Sequence, residues 1–275
     1  MFRGVGKAWA KGLTAATDPR VARAAAAHRG RKYQRRTPVE DCNYRFANKT
    51  LLPLRWSRDM AYIVGLTATD GCLYTGRRKL NFKSTDRQLV ETYLNLLGRT
   101  NRVKTQRTDN GGTVYFTEFH DSRLYAWFLS VGLTPRKSLT LGSLAVPRDL
   151  FSETARGLLD GDGSILNFRY PGTGKARGRE YETIWVCFNS ASRAHLEWVR
   201  AELRAIANVE GSLTLDSYTS AGNPFYRLTY AMRETKTILS LIYADPDAPC
   251  LRRKRDLWLD FVRRDLAGET RSRLL

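Results

Sequence analysis

Two stretches of the chain place a carboxylate at the same point of the same pattern. VGLTATDG (64–71) and RGLLDGDG (156–163) share Gly-x4-Asp-Gly, with Asp70 and Asp162 lying 92 residues apart. Each aspartate falls where a helical pattern runs out, just before the glycine that ends it. Gly65 with Thr69, and Gly157 with Gly161, are small residues four apart on one helix face, a spacing that lets two backbones approach closely. If the two helices pack through these faces, their C-terminal ends lie side by side and Asp70 meets Asp162. Two carboxylates there repel each other and the helix dipoles, so they call for cations. Mg²⁺, held by few carboxylates plus substrate phosphates, meets that demand, and two such sites suit hydrolysis of two phosphodiesters.

Competing chemistries fit less well. A calcium loop starting at Asp160 needs Gly at its sixth position and a carboxylate at its twelfth, where the chain has Ile165 and Pro171. The four cysteines (Cys42, Cys72, Cys187, Cys250) form no CxxC pair, and there are only three histidines, which argues against structural zinc. The cysteine spacing gives no disulfide framework, so a reducing compartment is expected. A plain Asp-Gly turn explains either motif alone, but not its recurrence at one place in two similar units.

Those units are the elements that must position the acids. Ser57 caps a helix ending at Gly71, and residues 72–85 alternate as a hairpin. Asp86 caps a helix to Gly98, residues 102–119 form a hairpin turning at 109–112, and Asp121 caps a helix to Gly132. The order then repeats. A helix over 151–163 opens with a Ser152 cap; strands 164–170 and 180–190 flank a Gly-rich basic loop. A helix over 192–206, a hairpin over 211–232 and a helix over 234–244 follow. A last basic helix spans 250–264. The fold class is α+β: two pseudo-symmetric αββαββα halves, 56–148 and 149–275, preceded by an extension, 1–55.

The sequence carries 46 Lys and Arg against 27 acids, a net charge of +19 with pI near 10.1. Such a field favours polyanions, with nucleic acid ahead of a membrane surface. Thirteen Lys and Arg against three acids lie in residues 1–55. The run HRGRKYQRR (28–36) reads either as a disordered tail or as an arm that orders on phosphates; the two are compatible. No apolar run is long enough to span a bilayer, and the N-terminus lacks a secretory core, so a cytoplasmic protein is expected.

The paired motifs, their order and the duplicated halves resemble the two-motif LAGLIDADG homing endonucleases over residues 56–265. The resemblance implies a monomer whose motif helices form the interface between halves, each half offering a curved antiparallel sheet to the DNA major groove. It implies a site-specific endonuclease that cuts both strands of double-stranded DNA. The expected metal set is Asp70, Asp162, Gly71 and Gly163, using Mg²⁺, with Mn²⁺ or Ca²⁺ substituting for binding. The family's sixth motif position, here Ala68 and Asp160, caps or packs. A basic residue near each acid is also implied. Lys137 and Lys254 are the catalytic candidates, to stabilise phosphate charge or position water, with Arg136 and Arg253 as competitors. Two alternatives share the fold: an RNA maturase acting on its own intron RNA, and a cleavage-inactive DNA-binding regulator.

Strand alternation then assigns the sheet faces. Leu80, Phe82, Val114 and Phe116 are expected to pack inward, leaving Lys79, Asn81, Lys83, Arg102, Lys104, Gln106, Tyr115 and Thr117 outward. In the second half Ile184, Val186 and Phe188 are expected inward. Asn167, Arg169, Trp185, Asn189, Thr214, Asp216, Arg227 and Thr229 are then expected outward. These residue types read base edges, and a β-ribbon fits the major groove. Arg177 and Arg179, in the long loop, are assigned to phosphates.

Overall fold

The computed structural model describes Pro19 and residues 50–76, 78–109, 111–174, 177–178 and 180–267. The chain divides into two units, Met1–Phe46 and Ala47–Leu275, and the fold below is that of the second. The basic run 28–36 lies outside the described residues, as does Arg179. Residues 50–55, expected in the N-terminal extension, pack with the first half. The Leu51 amide donates to Leu97 O (2.8 Å), and Leu52, Leu54 and Trp56 pack on the core.

The first half runs α1 (Arg58–Thr69), β1 (Gly71–Leu73), β2 (Lys79–Ser84), α2 (Arg87–Leu96), β3 (Lys104–Arg107), β4 (Thr113–His120) and α3 (Ser122–Ser130). The second runs α4 (Phe151–Gly161), β5 (Ser164–Pro171), β6 (Glu180–Ser190), α5 (Arg193–Ala207), β7 (Ser212–Tyr218), β8 (Pro224–Tyr230) and α6 (Met232–Ile242), followed by α7 (Arg252–Ala267). The sheets have the same antiparallel topology, β1-β2-β4-β3 and β5-β6-β8-β7. The fold is therefore α+β, two copies of αββαββα with one added helix.

Local signals explain most boundaries. Ser57 Oγ accepts from the Met60 amide, and Asp121 Oδ1 accepts from the Arg123 and Leu124 amides, each satisfying helix-start donors. Two expected caps differ. Asp86 makes no cap bond and instead pairs with Arg253 (2.7 Å), tying α2 to α7 across the halves. Ser152 lies inside α4, which begins at Phe151, and its hydroxyl donates to Glu153.

The motif helices α1 and α4 make the interface between halves. Gly65 and Gly157 lie directly against each other's helix. A Cβ built on Gly65 would come within 2.9 Å of Gly157 Cα and Leu158 N, and one on Gly157 within 2.9 Å of Leu66 N. Thr69 fills the space above Gly161. Around this seam Tyr62, Ile63, Leu66, Phe151 and Leu159 are fully buried.

Candidate active site and nucleic-acid surface

The two helices end alike. Asp70 and Asp162 are the C-caps of α1 and α4, their amides donating to Leu66 O and Leu158 O. With α1 and α4 in contact, the two carboxylates converge. Burial pushes the Asp70 carboxyl up to about 7, with the negative charge of Asp162 adding to the shift. Lys254, Lys137 and a hydrogen bond with Ser84 oppose it. Burial also raises Asp162, against the pull of Lys137 and Lys254, although its residue still reaches solvent through a cleft.

The lysines are placed with the same symmetry. Lys137 Nζ donates to Gly71 O (2.7 Å) and Thr69 O (3.3 Å). Lys254 Nζ donates to Gly163 O (2.7 Å), Leu159 O (2.6 Å) and Asp160 O (3.0 Å). Both ammonium groups are buried at the negative ends of the motif helices, the favourable place for a cation. Burial lowers both, Lys254 to about 8. Arg136 is exposed in a left-handed conformation (φ 57°), and Arg253 is taken up by Asp86, so it is the charge of the two lysines that acts on the acids.

Asp160 packs rather than facing the site. Its carboxylate is fully buried and accepts from Tyr62 Oη (2.8 Å) and the Leu251 amide (2.8 Å). It thus fastens the segment that leads into Lys254.

A cleft of about 230 Å³ opens between Lys137 and Asp162, with Thr69, Ser138 and Asn189 on its walls. Asn189 Nδ2 donates to Asp162 O (2.8 Å). Beside it lies a smaller cavity of about 20 Å³ touching Asp162, Asn189 and His195, enough for a water molecule. His195 Nε2 and Asn189 Oδ1 are buried there without a hydrogen-bond partner. Sequence reasoning passed over Ser84 and His195. Ser84 ends a strand like many serines, and a lone histidine carries no spacing signal.

The residues present fit a divalent cation. Two carboxylates, both raised, face two lysines, both lowered, and a cation between the acids would relieve their repulsion. Among the described residues no group of three or more His, Cys, Asp or Glu gathers for a metal. Two carboxylates completed by water and phosphate suit Mg²⁺ better than a dedicated cage. Gly71 and Gly163 bring their carbonyls to the site, where each accepts from a lysine.

Strand register places the surface residues. Lys79, Asn81 and Lys83 pair with His120, Glu118 and Phe116 on the outer face of the first sheet. Lys104 and Gln106 share that face, with Lys83 Nζ 3.4 Å from Gln106 Oε1. Arg102 is exposed just before β3. The expectation for β4 is reversed. Thr117 opposes Phe82 and is fully buried, and Tyr115 opposes Ser84 and packs on the core, so neither faces outward. Val114 and Phe116 take the outer side instead, Phe116 beneath the Lys104 ammonium (5.7 Å).

In the second sheet Trp185, Asn189, Arg227, Thr229 and Thr214 share the outer face, and Asp216 reaches Arg227 there (3.0 Å). Asn167 and Arg169 do not. They share the face of buried Ile165 and Ile184, where Arg169 (3.4 Å) and Arg264 (2.6 Å) hold the buried Glu182 and Arg264 also donates to Asn167. The last helix covers them. Arg177 is an exposed turn residue of the long loop.

No helix among the described residues is long and apolar enough to cross a membrane. The family model for the LAGLIDADG-like domain matches residues 57–131. Comparison with curated proteins finds no match. Among solved structures the chain is similar to mesophilic variants of the homing endonuclease I-DmoI, at 17% identity and TM-score 0.48, over 73% of this chain and 96% of that one. It is similar to the homing endonuclease I-WcaI bound to its DNA recognition sequence, at 10% identity and TM-score 0.48, over 73% and 88%. It is also similar to full-length DUF199/WhiA from Thermatoga maritima, at 15% identity and TM-score 0.45, over 78% and 63%. Residues 57–131 thus match the LAGLIDADG-like domain, and the second half repeats the same αββαββα architecture.

Proposed function

We propose that this protein is a site-specific endonuclease that hydrolyses both strands of duplex DNA with the help of a divalent metal. The observation that carries this reading is the convergence of Asp70 and Asp162 at two helix ends, each flanked by a buried lysine. A DNA-binding regulator needs the basic sheets but gains nothing from two crowded carboxylates backed by buried lysines.

In this reading Asp70 and Asp162 hold Mg²⁺, with Mn²⁺ or Ca²⁺ able to take its place for binding. Bound metal supplies charge neutralisation at the scissile phosphates and a more acidic water. Lys137 and Lys254 hold the motif carbonyls in place and present positive charge to the phosphates. The outer sheet residues named above and Arg177 position the duplex, so that the two scissile phosphates straddle the α1–α4 seam. One chain supplies both half-sites, so it works as a monomer.

The test is selection from a randomised duplex library with Ca²⁺, followed by transfer of the enriched duplexes to Mg²⁺. The expected result is a long consensus that is cut in both strands on transfer. Enrichment without cutting would favour the regulator, and failure to enrich any duplex while a parallel RNA pool is retained would favour the maturase.

A further inference from the structure

The two outer sheet faces differ in chemistry. In the first half that face carries Lys79, Lys83, Lys104, Gln106 and Glu118, with Val114 buried and Phe116 covered by the Lys104 ammonium. In the β5–β6 hairpin, register puts Leu166 opposite Trp185, Phe168 opposite Thr183 and Tyr170 opposite Tyr181 on the outer side. None of these six is charged. Phe168 and Trp185 meet edge to face at 5.8 Å and are 47% and 37% exposed. Tyr170 and Tyr181 stack at 5.8 Å. The charged residues of these strands, Arg169, Glu180 and Glu182, fall on the other face.

This aromatic strip continues the face that carries Trp185, Asn189, Arg227 and Thr229 toward Asp162, on a chain of net charge +19. Its position therefore fits a nucleic-acid duplex better than an uncharged partner. In the major groove guanine, cytosine and adenine present hydrogen-bonding groups and no methyl, whereas thymine presents a C5-methyl beside its O4. Phe168, Leu166 and the aromatic face of Trp185 offer no hydrogen bond to replace water lost from a guanine or cytosine edge. They can bury a methyl group.

We infer that the β5–β6 outer face is a thymine-reading surface, with Phe168 and Trp185 seated on thymine methyl groups. The inference rests on the duplex-endonuclease reading and adds the base class to it. Phe168 lies four residues beyond Ser164, the start of β5, and Trp185 pairs with Leu166, two residues beyond it. At about 3.3 Å per strand residue and about 3.4 Å per base pair, these correspond to about four and about two base pairs outward from the start of the strand, on one flank only.

The experiment uses the full chain and the duplexes selected in Ca²⁺. Thymine should be enriched in one flank, at those positions, and not in the other. Replacing those thymines by uracil removes only the methyls and should weaken binding about fourfold per contacted methyl. Phe168→Ser and Trp185→Ser should each shrink the thymine-over-uracil preference by about fourfold, and the double variant should bind the two duplexes alike, while the preference of the opposite flank persists. The uracil comparison needs no variant, so misfolding of either cannot hide the result. A consensus without one-sided thymine, or equal binding of uracil duplexes by the unaltered protein, overturns the inference and leaves the endonuclease reading standing. Failure to enrich any duplex overturns both.

Discussion

Lys137 hydrogen-bonds the motif of its own half, yet its charge bears most strongly on Asp162, the carboxylate of the other half. Its ammonium lies 2.7 Å from Gly71 O, while Asp162 is the foremost charge supporting its protonation. Asp70 in turn is eased more by Lys254 than by Lys137. The site is thus crossed on the Lys137 side, whereas Lys254, which eases Asp70, is itself supported first by the buried Asp160 of its own motif.

Crossing predicts unequal strand cleavage when one lysine is lost. Lys137→Met should slow cleavage about 10²–10³-fold, in the range of other fixed charge-stabilising groups. The loss should fall mainly on the strand served by Asp162, so nicked plasmid accumulates. Strand-resolved gels measure this. Equal slowing of both strands would contradict the crossed arrangement.

Much of this site was legible in the sequence. Gly65 and Gly157 are small where two backbones must touch, and a glycine ends each motif helix. Those constraints are local and leave their mark on residue type. The phase of β4 was not legible. Val114-Tyr115-Phe116-Thr117 offers a bulky group at nearly every position, so alternation fits either face. Pairing of Thr117 with Phe82 and of Phe119 with Leu80 decides it, and that is tertiary information. Asn167 and Arg169 look like DNA-facing residues because their partners are remote in sequence: Glu182, which pairs with Arg169, is on another strand, and Arg264, which donates to Asn167, is on the last helix.

Asp70→Asn should stabilise the protein without metal. The folded-state pKa of Asp70 is raised from 3.8 to about 7, so its ionisation opposes folding. Its favourable contribution is present below about pH 4 and is lost as pH rises through about 7. Above pH 7 in EDTA the variant should therefore melt a few degrees higher than the parent. It should also lose most of the thermal shift that Ca²⁺ gives the parent. Calorimetry with and without Ca²⁺ measures both effects; a variant that melts lower in EDTA would contradict the repulsion argued here.

Gly157→Ala should separate the halves. The added methyl meets Leu66 N at 2.9 Å and the Tyr62 carbonyl more closely, and backbone cannot step aside as a side chain can. A loss of about 1–3 kcal/mol or more is expected from urea unfolding. Gly142→Ala, where nothing lies within 4 Å, is the control and should unfold like the parent.

His195 should make the protein acid-sensitive. Burial lowers its pKa from 6.5 to about 4, with Nδ1 held 2.8 Å from Gly142 O. A depressed histidine adds stability above pH 6.5 that is lost as pH falls toward 4, because the unfolded chain takes up the proton first. The shift corresponds to on the order of 3 kcal/mol. Denaturant titrations from pH 7 to 4 should show this slope in the parent and a shallower one in His195→Gln.

The most direct measurement is strand-resolved cleavage of the selected duplex in Mg²⁺ by the parent, Asp70→Asn and Asp162→Asn. The predicted result is two cuts per duplex by the parent and none by either variant, with Ca²⁺-independent binding of the duplex retained by both. Cleavage that survives in both variants, or a parent that binds its duplex and leaves both strands whole, would contradict the assignment of the paired aspartates.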